Sequence, residues 1–125
     1  MLTADVALWR LWVASTALRP TVMAGHSLGE YAALVAAGVL HFDEAVRLVA
    51  LRGQLMQEAV PVGQGAMAVI IGASFDQVVD LCAQAAEGDV LSSANDNAPG
   101  QVVIAGHASA VQRALQLSKS HGAKI

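Results

Sequence analysis

Gly25-His26-Ser27-Leu28-Gly29-Glu30 holds a Gly-x-Ser-x-Gly centre. Glycines on both sides let a serine stand on a sharp strand-to-helix turn with its hydroxyl exposed. Acyl transfer needs a nucleophile placed that way, because free backbone N–H groups at a helix start can hold the oxyanion of a tetrahedral intermediate. A second reading fits the same residues: Ser27 caps its helix and Glu30 closes a capping box. Arg52 is the other chemically telling residue. It falls on an apolar helical stripe with Ala45, Leu48, Val49 and Met56. A guanidinium among such neighbours must meet a carboxylate, lie against backbone carbonyls, or face a pocket that receives an anion. The alternative is a snorkelling side chain whose stem covers the core edge.

These residues need elements to position them. Thr21-Val22-Met23-Ala24 reads as the end of a buried strand, and Tyr31 to Ala37 as a helix that Gly38 stops. Leu2 to Leu18 has a helical pattern, with Val6, Trp9 and Val13 on one face and Arg19-Pro20 as its breaker. Leu8, Leu11 and Trp12 add apolar positions, so that helix is expected to be buried on most of its circumference, with both tryptophans in the core. A further helix runs from Phe42-Asp43-Glu44 to about Glu58, with Asp43 as N-cap, and Pro61, Gly63 and Gly65 mark the exit.

From Gly65 the texture changes. Ala66 to Ile71 reads as a strand, Ser74 to Ala86 as a helix with Phe75, Val78, Val79 and Leu81 or Cys82 inward, and Val90 to Ala94 as a second strand. Asn95 to Gly100 is a dense turn, Gln101 to Ala105 a third strand, and Ala108 to about His121 a last helix. This order predicts a two-layer, ferredoxin-like α+β unit over residues 62–125, lacking a final strand, beside a partial α/β core over residues 1–61.

At 125 residues the chain suffices for one domain with a real core but is short for a serine-nucleophile sheet with helices on both faces. It is 55% hydrophobic and 14% charged, so a partner or further sequence is expected to cover part of its surface. A net charge of -3, without a Lys/Arg cluster, argues against nucleic acid and anionic membrane as partners. Cys82 is the single cysteine, which excludes an internal disulfide and suits a reducing cytoplasm. No apolar run of membrane-spanning length and no secretory leader pattern is present, so a soluble cytoplasmic protein is expected. Gly63-Gln64-Gly65-Ala66-Met67-Ala68 mimics a dinucleotide fingerprint but precedes a strand instead of following one. His26, His41, His107 and His121 lack metal-ligand spacing, so neither metal nor cofactor is expected; His107 reads as flanking the last helix and Cys82 as packing.

Taken together, Gly25-His26-Ser27-Leu28-Gly29-Glu30-Tyr31, Ala36-Ala37-Gly38, Arg52-Gly53 with Met56, Gly65-Ala66-Met67, and Asn97-Ala98-Pro99-Gly100-Gln101 with Ala105-Gly106 resemble the malonyl-CoA:acyl carrier protein transacylase family of bacterial fatty acid synthesis. The resemblance runs through essentially the whole chain. It implies an α/β-hydrolase-like core with a nucleophile elbow, into which the ferredoxin-like subdomain is inserted. It also implies that Ser27 carries the malonyl ester, that the backbone N–H of Leu28 is an oxyanion donor, and that Arg52 pairs with the malonyl carboxylate. His26, Met56 and Asn97 match positions that line or support the pocket. Malonyl-CoA as substrate, acyl carrier protein as partner, and a monomeric full-length protein follow from the same resemblance.

The family's upstream Gly-Gln-Gly-rich segment and its catalytic histidine, implied beyond Ile125, are not in this sequence, and neither His107 nor His121 matches that histidine. The 125 residues alone are therefore expected to lack transfer activity. Two neighbouring enzyme readings share the Ser and Arg logic: a polyketide synthase acyltransferase and a malonate decarboxylase subunit. A non-catalytic scaffold or carrier-protein-binding fragment is the alternative of another class.

Overall fold

The computed structural model describes residues 1–120. The expected end of the last helix near His121 lies outside the described residues. The chain forms two compact units, Met1–Ala59 and Val60–Ile125, dividing just ahead of the Pro61–Gly65 segment.

The first unit has three helices, α1 (Leu2–Ser15), α2 (Leu28–Ala36) and α3 (Phe42–Ala59). Leu2, Val6 and Ala45 are its buried centre, with Tyr31, Val35, Leu40, Phe42 and Val49 packed around them. α1 stops earlier than its apolar pattern, because Thr16 is extended and the Arg19 guanidinium takes up the terminal carbonyls of Val13, Thr16 and Leu18. Its circumference is not buried: α2 and α3 cover one stripe and leave Leu8 and Leu11 more than half exposed. Trp12 is also at the surface, where it stacks on Trp9 with centroids 5.3 Å apart.

Thr21 to Ala24 forms no strand. A strand exists only through ladder bonds to a neighbour, and among the described residues this segment has none; Val22 is 82% exposed. Gly38, at φ 73°, ends α2 in the left-handed conformation that glycine adopts without a Cβ penalty. α3 starts ahead of Asp43. His41 is its cap residue: its carbonyl accepts the Ala45 N–H, and its own N–H donates to Glu44 Oε2. Asp43 lies in the first turn and faces Arg47 at 3.7 Å.

The second unit is β1 (Gly65–Ile71), α4 (Phe75–Ala86), β2 (Leu91–Ala98), β3 (Gln101–His107) and α5 (Ala108–Ser120). The strands are antiparallel in the order β1-β3-β2, the ferredoxin-like arrangement for these elements. Ile70, Val102 and Ile104 of the sheet pack on Val78, Leu81, Cys82 and Ala85 of α4 and on Val111 and Ala114 of α5. Burial pushes the Cys82 thiol pKa up, as suits a packing residue. Phe75 and Val79 lie at the surface, not inward, because the buried stripe of α4 runs through 78, 81, 82 and 85. Ser74 and Gln77 close a reciprocal capping box at its start.

The polar run Asn95–Ala98 belongs to β2, and only Pro99-Gly100 makes the turn. Bulges absorb the mismatch: Ala94 and Asn97 are extra residues against β3. At the far end of the unit, Arg113 donates to the Ala85 and Ala86 carbonyls at 2.8 and 2.7 Å and to Asp89 at 2.9 Å. Asp89 also accepts from Ser109 Oγ at 2.8 Å and meets His107 Nδ1 at 3.0 Å. These bonds, that of Arg113 foremost, hold the Asp89 carboxyl at about 2.

Candidate active site

Ser27 opens α2 with φ 53° and ψ -111°, a conformation that costs a non-glycine residue about 1–3 kcal/mol. The chain reaches it by folding tightly over itself. A Cβ on Gly25 would lie 2.1 Å from the Gly29 carbonyl carbon, so only glycine fits there. The requirement is one-sided, since a Cβ at Gly29 would meet nothing within 4 Å.

Although Ser27 stands at the cap position, its side chain makes no capping bond. The Glu30 N–H donates to the Ser27 carbonyl, not to its hydroxyl, so the capping-box reading is set aside. Instead Ser27 Oγ accepts a 2.6 Å hydrogen bond from Arg52 Nη2. Arg52 is half-buried on α3, and among the described residues no carboxylate pairs with it. Its partner in the structure is a neutral hydroxyl, which was not among the partners that the sequence predicts.

The Gly29 N–H is taken by the His26 carbonyl at 2.9 Å. The N–H of Leu28, the first residue of α2, precedes every intrahelical acceptor and is the amide available beside the serine. His26 is exposed and adjoins the serine. Met56 lies one turn beyond Arg52 on the same helix, but it is 60% exposed, and Leu48 is 44% exposed. The apolar stripe drawn through both is thus buried only at Ala45 and partly at Val49. Asn97 is on β2 of the second unit, at a bulge, where the interrupted ladder re-aims a side chain.

A groove of about 630 Å³ beside the serine turn is lined by Met23, Ala24 and Gly25 and, from α2, by Glu30, Ala33 and Leu34. Among the described residues no His, Cys, Asp or Glu cluster is arranged to hold a metal ion, and no helix is long and apolar enough to cross a membrane. The direct Ser27–Arg52 bond has no local signature, because its partners are 25 residues apart in sequence. The misfit of Arg52 on its stripe was the available signal.

Residues 1–124 match the acyl transferase domain family. The malonyl CoA-acyl carrier protein transacylase of Salmonella typhimurium is 56% identical over 124 residues, covering 99% of this chain and 40% of the relative. That of Escherichia coli K12 is 58% identical over the same shares. Among solved structures, the Coxiella burnetii transacylase superposes with a TM-score of 0.95 at 59% identity, over 99% of this chain and 39% of that one. A malonyl-transacylase in complex with its type II polyketide acyl-carrier protein superposes at 0.93 with 55% identity, over 98% and 40%. This chain therefore spans about 40% of the length of its relatives. With the strained serine turn intact and the likeness extending over nearly all its residues, the chain belongs to the malonyl CoA-acyl carrier protein transacylase family of acyl transferase domains.

Proposed function

We propose that this chain carries the nucleophile and the carboxylate receptor of a malonyl-CoA:acyl carrier protein transacylase. The observation that carries the reading is the 2.6 Å contact between Arg52 Nη2 and Ser27 Oγ at a strained helix start. It puts a cation that has no carboxylate partner among the described residues beside the hydroxyl that would be acylated, where the free carboxylate of a malonyl group would meet it.

A histidine, implied by the resemblance beyond Ile125, takes the Ser27 proton while Oγ bonds to the thioester carbonyl carbon. The Leu28 N–H holds the oxyanion. When the carbonyl re-forms, the carbon–sulfur bond breaks and the CoA thiolate leaves with the proton from histidine. The carrier's phosphopantetheine thiol then attacks the ester by the same steps in reverse order and restores the Ser27 hydroxyl. Arg52 selects malonyl, because an acyl group without a carboxylate leaves the guanidinium unpaired. His26, Met56 and Asn97 are proposed to line or support the pocket. The free thiol of Cys82 fits the reducing cytoplasm, where we place the protein.

The test is to graft residues 1–125 in place of the matching stretch of the Escherichia coli relative and incubate the product with malonyl-CoA. Mass spectrometry should find a malonyl adduct on Ser27 that Ser27→Ala abolishes. Arg52→Ala should shift preference from malonyl towards acetyl transfer by about tenfold or more, the loss of one charge-assisted pair. Equal relative rates before and after that substitution would overturn the role of Arg52. Acyl carrier proteins of fatty acid and of type II polyketide synthesis should both be offered as acceptors, since one close relative was solved with the latter.

A further inference from the structure

We infer that the free edge of β1 is an interface, which joins two copies of this chain strand to strand about a two-fold axis. The order β1-β3-β2 makes β1 and β2 the outer strands among the described residues. They are guarded unequally. β2 is bulged at Ala94 and Asn97 and carries Asp96 among serines and asparagines, features that keep an edge from pairing. β1 has none of these: Gly65–Ile71 holds no charge and no proline, and it pairs with β3 without a break in register.

The alternation of an antiparallel ladder decides which of its backbone groups are open. The Ala108 N–H donates to the Gln64 carbonyl at 2.9 Å and the Gly72 N–H to the Gly100 carbonyl at 2.8 Å, so the even-numbered residues of β1 spend their groups on β3. Gly65, Met67, Val69 and Ile71 therefore point theirs outward, where nothing among the described residues pairs with them.

A second copy of the same strand fits that edge. Laid antiparallel with Ala68 on the axis, Met67 of each copy faces Val69 of the other and Gly65 faces Ile71, so every outward residue meets an outward residue. No other two-fold register matches all four. Opposed residues share a face, so both helical layers fall on one side of a continuous sheet, while Met67, 65% exposed, and Ile71 gain apolar neighbours on the other. The pairing uses the same edge of both copies and so closes on itself, and the bulged β2 strands end the sheet.

Sedimentation equilibrium of the 125-residue protein should give twice its 12.8 kDa. Isotope-filtered NMR on a mixture of labelled and unlabelled chains should show contacts between Met67 of one copy and Val69 of the other, a reading that needs no substitution. Val69→Pro removes one outward N–H from each copy, at a place where an edge strand tolerates proline, and should raise the dissociation constant about ten- to hundredfold. Met67→Lys, at an exposed position, sets like charges beside the axis and should also favour the monomer. A monomeric chain overturns the inference, whether its Met67 and Val69 amides exchange freely or are protected by its own residues. So does a dimer that lacks the Met67–Val69 contacts, or one that survives both substitutions.

Discussion

Two arginines, one in each unit, are spent in opposite ways. Arg113 is held by its own chain: two carbonyls at the end of α4 and Asp89 accept three of its five N–H hydrogens, Glu87 lies 3.4 Å away, and only 27% of its side chain is exposed. It ties the C-terminus of α4 to α5, where a cation suits the helix dipole. Arg52 has, among the described residues, one neutral hydroxyl, and that hydroxyl belongs to a residue in a strained conformation. Arg113 consumes what its own chain supplies, whereas Arg52, among the described residues, meets no opposite charge, as its proposed role of carboxylate receptor requires.

The largest expected effect sharpens the view of the serine turn as strained. Gly25→Ala drives a methyl into the Gly29 backbone and should cost about 3 kcal/mol. Urea unfolding of the first unit, followed by the Trp9–Trp12 fluorescence, reads it, and a fully tolerated alanine would mean that the turn is not locked as described. Next, the two arginines separate directly. Arg113→Ala takes their guanidinium donor from the Ala85 and Ala86 carbonyls and from Asp89 and should cost about 2 kcal/mol, while Arg52→Ala should stay within about 0.5 kcal/mol. Equal losses in denaturant titrations would erase the distinction between them.

A smaller effect concerns acid. The Asp89 carboxyl is held at about 2 against an ordinary 3.8, so its contribution is complete above 3.8 and is lost as pH falls towards 2. Asp89→Asn should therefore lower the unfolding midpoint of the second unit at pH 5, and its difference from wild type should shrink on acidification through that window. A difference that does not depend on pH would assign the effect to shape instead of charge. The smallest change is a gain: Gly29→Ala, in open space within α2, should stabilise the helix by about 0.5–1 kcal/mol. A loss measured by thermal unfolding would show that the serine turn requires Gly29 as well as Gly25.

Much of this was legible in the residues. Gly38 marked the end of α2, and the Ser74 to Ala86 pattern lay within a residue of α4. The misfit of Arg52 pointed to a polar partner without naming it. What escaped was non-local. Thr21–Ala24 has strand-like residues, but a ladder requires a second strand, which local pattern cannot supply. Leu8 and Leu11 are apolar enough for a core, yet burial depends on which neighbours arrive. The Asp89 cluster joins residues 18 to 24 positions apart, with no periodicity to announce it. Asn95–Ala98 has turn composition and still pairs as strand, because two bulges let it.

Those bulges carry a further consequence, one of parity. A single extra residue inverts which side of a sheet every later residue occupies, and a second inversion cancels the first. With Ala94 and Asn97 both inserted, the hairpin enters and leaves the bulged stretch in the same phase, and only Asn95 and Asp96 between them are reversed. The tip can thus lengthen or shorten by two residues without turning its base inside out. Flattening one bulge while keeping its residue would slip the register and transpose the whole tip, Pro99-Gly100 included, to the wrong side of the pleat.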